Sequence, residues 1–328
     1  MDETNLTADD KGVTLTATLY ADQIVADWID EGEIEFTVTD QKSVPTPDLD
    51  TDGKIKVQVS GGKATITLDG NLAGKEIWKA SYSFGTTNVD AGDGLEVDWA
   101  AGAVSSVTLE VRDASGTPDN WQSQSVMLPF GGTVEFRVTA KDQHGNGVPG
   151  AAVALNLTGG NTDHAENWQS TMPNTDSNGE SKVTFMGTYA GYDIFRANVG
   201  GVQSGQVRVT WQPVMEITAE PASPMIGQHV MLSVTIQGFQ CSTLYDDSSA
   251  PGSTLQLGTD PNPDRENFDG WTCTPSGSGP EVAEATWTVA LEEEGEVEFI
   301  FWLKLDGDDA VDERIGEVEK SLTVTWQD

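Results

Sequence analysis

The sequence predicts an all-β protein built from three consecutive two-sheet sandwiches. In many segments apolar residues alternate with polar ones, which is the period of a strand with one face in a core. Clusters of Gly, Asn and Asp interrupt the alternation about every eight to twelve residues, as turns between short strands do. The clearest alternating segments are Val13–Leu19, Ile34–Val38, Val107–Val111 and Val153–Leu157. No segment of about twelve residues has the apolar face of a helix.

An internal repeat divides the chain into three parts. A strand pattern that ends in tryptophan occurs three times, and the tryptophans are Trp99, Trp211 and Trp326. Each repeat contains about seven short strands, which suits a two-sheet immunoglobulin-like sandwich. We therefore expect three immunoglobulin-like domains, at residues 1–100, 101–212 and 213–328.

Two further matches support the repeat. Residues 62–80 match residues 179–197 at one constant offset. Gly32–Val38 matches Gly132–Val138, with a weaker copy at Val230–Val234. We interpret the matching segments as the same strands in successive domains. The junctions between the repeats are short, which favours stacked domains over domains joined by flexible linkers.

The middle repeat carries a turn signature between two alternating strands. Residues 138–153 read Val-x-Ala-x-Asp-x-x-Gly-Asn-x-Val-Pro-Gly-x-x-Val, and Asn178-Gly179 marks a later turn. Such residues suit tight turns that need positive φ. This segment resembles the group 1 bacterial immunoglobulin-like domain, which occurs in tandem in intimin- and invasin-type adhesins. The resemblance covers about residues 101–212 and carries over no catalytic residue.

The resemblance implies an exported bacterial protein, secreted or displayed on the cell surface, whose domains act as spacers or recognition surfaces. We expect a non-catalytic segment that acts in adhesion or cell–cell contact, including contact that accompanies conjugation. Its partner would be a protein or a glycan on another cell surface. Two alternatives stay open: an accessory, carbohydrate-binding region of a secreted enzyme, and an extracellular structural protein of the phage type.

The composition excludes several kinds of partner. The chain has 328 residues, with 17 Lys+Arg against 53 Asp+Glu and a formal net charge of −36. Nucleic acid is not expected, because phosphate binding needs basic patches. No apolar run reaches about 18 residues, so we expect no direct membrane insertion. The first residues are not a signal peptide, and we expect the chain to be part of a longer protein or to have lost a leader.

The residues of common catalytic sites are sparse. The chain has three histidines, His144, His164 and His229, and 17 Lys and Arg residues. It contains neither the Gly-x-Ser-x-Gly turn of serine hydrolases nor the His-Glu-x-x-His motif of zinc proteases. We therefore expect no enzymatic activity and no cofactor.

The two cysteines, Cys241 and Cys273, both fall in the third repeat. In an exported β protein such a pair predicts one disulfide. It would close a loop of about 33 residues and contribute about 3.5 kcal/mol in the chain-entropy account. Two free thiols are the alternative.

Three aspartates form a short acidic segment. Asp48, Asp50 and Asp52, followed by Gly53, have the Asp-x-Asp-x-Asp-Gly form of a calcium loop. The twelfth position of an EF-hand loop is a bidentate Glu, and here it is Val59, so an EF-hand is excluded. A looser calcium site and a solvated acidic turn stay open.

Two tryptophans lie in the same tetrapeptide, Asn-Trp-Gln-Ser. The pairs are Asn120-Trp121 and Asn167-Trp168. An exposed Trp beside amide side chains offers a large contact area to a carbohydrate or a protein. The alternative is a loop Trp that covers the open end of a sandwich. We predict that a binding surface in this chain would include Trp121 and Trp168.

Overall fold

The computed structural model describes residues 6–160, 172–188, 190–239, 254–260, 268–274, 281–289, 295–306 and 318–327. Every regular element in these ranges is a β-strand, and the sheets are those of immunoglobulin-like sandwiches. The predicted all-β class is therefore confirmed. No helix in the described part of the chain has the length and hydrophobicity that a bilayer span requires.

The first predicted domain, called unit 1, has two facing sheets. Its strands are β1 (Leu6–Thr7), β2 (Val13–Thr18), β3 (Tyr20–Ala21), β4 (Ile24–Val25), β5 (Glu33–Thr39), β6 (Ser43–Thr46), β7 (Lys54–Gln58), β8 (Lys63–Gly70), β9 (Gly74–Phe84), β10 (Thr87–Asp90) and β11 (Leu95–Ala100). One sheet has the order β1-β11-β9-β5-β7, with β10 beside β9, and the other has the order β2-β8-β6. Strand β1 runs parallel to β11, and β3 and β4 form a separate hairpin.

The second predicted domain, unit 2, has the same plan with fewer strands. Its strands are β12 (Ser106–Asp113), β13 (Ser125–Pro129), β14 (Thr133–Lys141), β15 (Val153–Gly160), β16 (Glu180–Met186), β17 (Gly191–Val199) and β18 (Val202–Gln212). The sheets have the orders β12-β14-β16 and β13-β18-β17-β15. Strand β13 runs parallel to β18, as β1 does to β11 in unit 1.

The third predicted domain, unit 3, again has two sheets. Its strands are β19 (Val214–Glu220), β20 (Val230–Phe239), β21 (Thr254–Asp260), β22 (Phe268–Thr274), β23 (Glu281–Val289), β24 (Gly295–Asp306) and β25 (Val318–Trp326). The sheets have the orders β19-β20-β23-β22 and β21-β24-β25. Among the described strands, no sheet combines strands of two units. The limits of the units stay those predicted from the sequence.

Separate hydrophobic clusters fill the three units. The cluster of unit 1 includes Trp78 and Trp99, that of unit 2 includes Phe136 and Trp211, and that of unit 3 includes Trp326. Each of these side chains is almost fully buried. Burial of one such aromatic side chain stabilises the folded state by about 1.5–3 kcal/mol, so each unit has the means to hold its two sheets together.

The last long strand of each unit ends at or next to a buried tryptophan, which we call the closing tryptophan. It occupies the same register position in every unit. It is paired with a glycine at the start of the neighbouring strand, and the pairs are Trp99 with Gly74, Trp211 with Gly191, and Trp326 with Gly295. The predicted repeat of the tryptophan-ending strands is therefore confirmed. The match between residues 62–80 and 179–197 is confirmed as well, because these residues form β8–β9 and β16–β17 in equivalent places.

The predicted match between Gly32–Val38 and Gly132–Val138 is wrong. Strand β5 lies between β9 and β7, in the same sheet as Trp99, whereas β14 lies between β12 and β16 in the opposite sheet from Trp211. The counterpart of β14 in unit 1 is β2, since β2 pairs with β8 as β14 pairs with β16. Alternation reports that one strand face is buried. It does not say in which sheet the strand lies, and here two different strands had the same pattern.

A buried carboxyl group receives the indole N–H of the closing tryptophan in units 1 and 2. Trp99 Nε1 donates to Glu76 Oε1 at 2.8 Å, and Trp211 Nε1 donates to Asp193 Oδ2 at 3.2 Å. Both carboxyl groups are buried, and both lie two residues after the glycine that faces the tryptophan. A buried indole N–H needs an acceptor, and the neighbouring strand supplies it from the same position in both units.

Unit 3 satisfies its closing tryptophan differently. The register position of the two carboxyl groups is taken by Val297. Trp326 Nε1 donates instead to the backbone carbonyl of Gln228, at 3.3 Å. Because this backbone carbonyl accepts the indole N–H, no buried acid is needed at the position of Val297, and the Trp326 N–H is not left without an acceptor.

The two buried carboxyl groups differ in protonation. Burial raises the pKa of Glu76, but hydrogen bonds, first from the Lys42 backbone N–H and then from tryptophan and Ser43, outweigh burial and hold the pKa below its ordinary value. For Asp193, burial raises the pKa to about 6, and the hydrogen bond from Trp211 opposes this shift only in part. The same position therefore holds a carboxylate in unit 1 and, below about pH 6, a neutral acid in unit 2.

We predict that Asp193→Asn removes a pH dependence from the stability of unit 2. The pKa of Asp193 is about 6 in the folded state against an ordinary 3.8, so between these values the folded state holds a proton that the unfolded state has released. The free energy of unfolding therefore falls as the pH rises from about 4 to about 6, by up to about 3 kcal/mol. The variant has no titrating group at this position and should not show the fall.

Pulsed hydrogen exchange along a urea series, read in peptides from β17 and β18, measures the unfolding of unit 2. Glu76→Gln in unit 1 is the comparison, because the pH dependence that Glu76 gives to stability has the opposite sign. Because the pKa of Glu76 is lowered from 4.5, its contribution is present above that value and is lost as the pH falls through the folded pKa. Glu76→Gln should therefore weaken unit 1 at neutral pH. An identical pH slope for the natural chain and Asp193→Asn would contradict the prediction.

Candidate functional site

The segment that contains Trp121 is held against the edge of unit 2. The backbones of Gln122 and Val111 exchange two hydrogen bonds, of 2.8 and 2.9 Å, so the segment adds a bridge to β12. Asn120 accepts a hydrogen bond from the Gln122 side chain at 2.7 Å. Trp121 is half-buried and Asn120 is exposed. The ring is therefore placed by strand pairing rather than carried on a free loop.

Two arginine side chains lie against the Trp121 ring. The guanidinium carbon of Arg112 is 4.7 Å from the ring centre, and that of Arg137 is 4.3 Å away. Arg112 also pairs with Glu135 at 2.5 Å, and Arg137 pairs with Glu110 at 2.6 Å. Both ion pairs join residues that face each other across β12 and β14. The Trp121 ring thus covers these charged side chains on the outer face of the sheet. Each of the two arginines makes a cation–π contact with the ring.

The second tryptophan of the predicted binding surface, Trp168, and its neighbour Asn167 lie outside the described residues. Their approach to Trp121 stays a prediction. The predicted disulfide between Cys241 and Cys273 also stays a prediction. Cys241 lies outside the described residues, and Cys273 is described only as a position in β22.

The acidic segment of unit 1 forms an exposed turn. Asp50 Oδ1 accepts hydrogen bonds from the backbone N–H groups of Asp52 and Lys54, each at 2.9 Å. Asp48, Asp50 and Asp52 are all exposed. Among the residues that the structure describes, no three His, Cys, Asp or Glu side chains are grouped closely enough to hold a metal ion. The three aspartates are therefore not brought together, and Asp50 stabilises the turn.

The turn signature of unit 2 lies at the contact with unit 1. Asp9 of unit 1 accepts hydrogen bonds from the Gln143 side chain at 2.7 Å and from the Ala103 N–H at 3.1 Å. His144 Nε2 lies 3.5 Å from the same carboxyl group. The Asn146 side chain donates to the Asn71 carbonyl of unit 1 at 3.1 Å. Three side chains of one turn thus contact unit 1.

Asp142 organises this turn and links it to the connection between the units. Its Oδ1 accepts the N–H groups of His144 and Asn146, and its Oδ2 accepts the Asn146 side chain and the Gly102 N–H. Burial raises the pKa of Asp142, but these hydrogen bonds outweigh burial and hold the pKa below its ordinary value. Gly102 also has no room for a side chain, since a Cβ there would lie 2.0 Å from the Asp9 carboxylate.

The contact between units 2 and 3 uses equivalent parts of the fold but is mainly apolar. The Phe130 ring of unit 2 lies against Gly238 of unit 3, where a Cβ would be 2.8 Å from the ring. The Ala190 N–H donates to the Gly238 carbonyl at 2.5 Å. Ala190 also joins the hydrophobic cluster of unit 3. Gly238 has φ +100, which favours glycine as well.

The two junctions and the buried acids were not identified from the sequence. The signature of residues 138–153 predicts a tight turn without indicating what its side chains contact, and Asp9 lies in no motif. The acids could have been found, since Glu76 and Asp193 are separated by the offset that relates residues 62–80 to 179–197. An acidic residue in matching strand segments of two repeats is a pattern that surface charge alone does not explain.

Comparison with known proteins identifies the middle of the chain. Residues 131–212 match the family model described as Bacterial Ig-like domain (group 1). The match runs from two residues before β14 to the last residue of β18, and so includes the Asp142 turn and Trp211. The predicted resemblance is confirmed for this segment, which is about a quarter of the chain. Domains of this family occur in bacterial surface proteins. No curated protein matches the chain.

We predict that Trp121→Ala lowers the free energy of unfolding of unit 2 by about 1–3 kcal/mol, because it removes two cation–π contacts and partly buried ring area. Urea unfolding read by hydrogen exchange in β12 and β14 measures the change. Trp28→Ala is the control, because the Trp28 ring is 64% exposed and its loss should change stability by less than about 0.5 kcal/mol. Equal effects of the two substitutions would contradict the structural role of Trp121.

Proposed function

We propose that this chain is a non-catalytic segment of an exported bacterial surface or secreted protein, in which tandem immunoglobulin-like units act in adhesion or cell–cell contact. The contact between units 1 and 2 carries the proposal. Asp9 receives hydrogen bonds from Ala103 and Gln143, so the two units meet through specific donors and acceptors. Fixed contacts between successive domains suit a stalk that holds a distal surface away from a cell.

The specific contacts at the two junctions, one hydrogen-bonded and one apolar, support the spacer role. The first junction uses hydrogen bonds of Asp9, Asn71 and the turn of Asp142, and the second uses Phe130 and Ala190. Two chemically different contacts at the same place in the fold each restrict the next unit. Such contacts give a spacer a defined geometry, which flexible linkers do not.

We predict that Asp9→Ala loosens the contact between units 1 and 2. The substitution removes the acceptor of Ala103 N–H and of the Gln143 side chain, so the amide of Ala103 should exchange at least about tenfold faster, as loss of one such bond implies. Hydrogen exchange on the whole chain measures this, and small-angle X-ray scattering should show a broader distribution of interatomic distances.

Asp90→Ala is the matched control, because Asp90 is an exposed aspartate of unit 1 at the end of β10. It should leave exchange at Ala103 and the scattering curve unchanged. Unaltered exchange and scattering in Asp9→Ala would remove the support that this junction gives to a spacer role.

The adhesion part of the proposal concerns a partner protein or glycan on another cell surface. Trp121 remains the described candidate for contact, since its ring is half-buried and the adjacent Asn120 is exposed. Tryptophan and arginine together are the side chains that carry most binding energy at protein contacts. The ion pairs of Arg112 and Arg137 would hold these side chains against the ring before binding, which lowers the entropic cost of a contact.

We predict that the whole chain, labelled and incubated with intact bacterial and animal cells and with a glycan array, binds one of these surfaces. Trp121→Ala combined with Trp168→Ala should reduce that binding at least about tenfold, as expected for loss of a central contact residue. Circular dichroism checks that the variant is folded, and Asp90→Ala is the control. Unchanged binding by the double variant would exclude the tryptophan surface. Binding to polysaccharide alone would favour the accessory region of a secreted enzyme.

A further inference from the structure

Two Asn-Gly dipeptides lie in contact with each other in unit 2. Asn146-Gly147 belongs to the Asp142 turn, and Asn178-Gly179 forms the turn that precedes β16. A Cβ at Gly147 would lie 2.1 Å from the Asn178 carbonyl oxygen, and a Cβ at Gly179 would lie 2.8 Å from the Gly147 Cα. The packing of the two turns therefore requires glycine after both asparagines.

An asparagine followed by glycine is open to a reaction of the chain with itself. The backbone nitrogen of the second residue can attack the side-chain amide of the asparagine, and glycine has no Cβ to hinder the approach. Because the two turns need glycine for their close packing, a larger and less reactive residue at position 147 or 179 would force the turns apart. The labile dipeptides are thus tied to the fold.

The two glycine nitrogens differ in how they are held. The Gly179 N–H donates to the Asp176 carbonyl at 3.0 Å, so this bond must break before the nitrogen can attack. The backbone hydrogen bonds on either side of Gly147 are made by the N–H groups of Asp142 and Val148. Among the described residues, the Gly147 N–H donates to no acceptor. The Gly147 nitrogen is therefore the more available nucleophile.

The Asn146 side chain is held by both units. Its amide nitrogen donates to Asp142 Oδ2 at 2.8 Å and to the Asn71 carbonyl of unit 1 at 3.1 Å. An amide nitrogen has two hydrogens, and these two acceptors match them. While the units are in contact, both bonds oppose rotation of the side chain toward the Gly147 nitrogen. When unit 1 moves away, the bond to Asn71 is lost and this rotation becomes easier.

We propose that Asn146 is a self-modification site, at which reaction with the Gly147 nitrogen makes the separation of units 1 and 2 irreversible. The Gly147 nitrogen bonds to the side-chain carbonyl carbon of Asn146, and the bond from that carbon to Nδ2 breaks. Ammonia leaves with the proton of the Gly147 nitrogen. Water then opens the cyclic imide at one of its carbonyl groups and leaves an aspartate or an isoaspartate.

The product cannot restore the contact between the units. A carboxylate has no hydrogen to donate to the Asn71 carbonyl. It also stands beside the Asp142 carboxylate, so repulsion of like charges replaces the hydrogen bond from Asn146. A junction that has opened and reacted therefore stays open. This inference rests on the spacer role, since it concerns the contact that gives the spacer its geometry.

Mass spectrometry of peptides from the whole chain, incubated at mildly alkaline pH, measures the conversion of each amide to an acid. In Asp9→Ala the reaction at Asn146 should be at least about tenfold faster than in the natural chain, since loss of one hydrogen bond raises the open population by about this factor. Asn178 is the internal control and should react at the same rate in both chains. Asp90→Ala should match the natural chain at both asparagines.

Two further measurements test the chemistry and its consequence. Labelling with an isoaspartyl methyltransferase should detect isoaspartate at position 146, which direct hydrolysis of the amide does not give. Asn146→Asp imitates the aspartate product, so the Ala103 amide should exchange at least about tenfold faster in this variant. Asn178→Asp is the matched control and should leave exchange at Ala103 unchanged. Circular dichroism checks that both variants are folded, and the rate comparison in Asp9→Ala does not depend on them.

Three results would overturn the proposal: equal rates at Asn146 in Asp9→Ala and the natural chain, conversion without isoaspartate, or unchanged exchange at Ala103 in a folded Asn146→Asp. The spacer role is judged separately, by exchange at Ala103 in Asp9→Ala. A junction that opens in Asp9→Ala without a faster reaction at Asn146 would therefore contradict the self-modification site alone.

Discussion

The closing tryptophan determines how each unit ends. Trp211 is buried at the end of β18, and a Cβ at Gly187 would lie 2.2 Å from its ring, so this position cannot hold a larger residue. The next residue, Gln212, accepts the Phe130 N–H at 2.7 Å. The ring thus fixes the last strand beside the residue that contacts unit 3. Core packing and the contact between units share one structural element.

The junctions show how one fold position accepts different chemistry. The end of a unit that contacts its predecessor carries a hydrogen-bonded turn around Asp142 in unit 2 and the end of β20, at Gly238, in unit 3. The turn offers side-chain donors to unit 1, whereas Gly238 offers a position without a side chain to the Phe130 ring. The preceding unit then needs a carboxylate, as at Asp9, or an aromatic ring, as at Phe130.

Much of the fold could be predicted from the sequence, because period-two alternation and the tryptophan repeat depend on local burial. The equivalence of β5 and β14 was predicted wrongly, since Gly32–Val38 and Gly132–Val138 have the same pattern in different sheets. The junctions could not be predicted, because Asp9 and Gln143 are distant in sequence, Asp9 belongs to no motif, and Gln143 occupies an unspecified position of the turn signature. Trp121 was identified as an aromatic residue in a polar segment, but its two arginine partners depend on cross-strand register.

The excess of acidic residues opposes contact between the sides of neighbouring chains. On the outer face of β12 and β14, Arg112 and Arg137 are neutralised by Glu135 and Glu110. The chain has 17 Lys and Arg residues, and the arginines that form these ion pairs cannot neutralise other carboxylates. The remaining excess of acid keeps the sides of neighbouring chains apart and discourages pairing of exposed strand edges. Repulsion of this kind is spread over the whole surface, so it opposes every lateral approach of two chains until salt shortens its range.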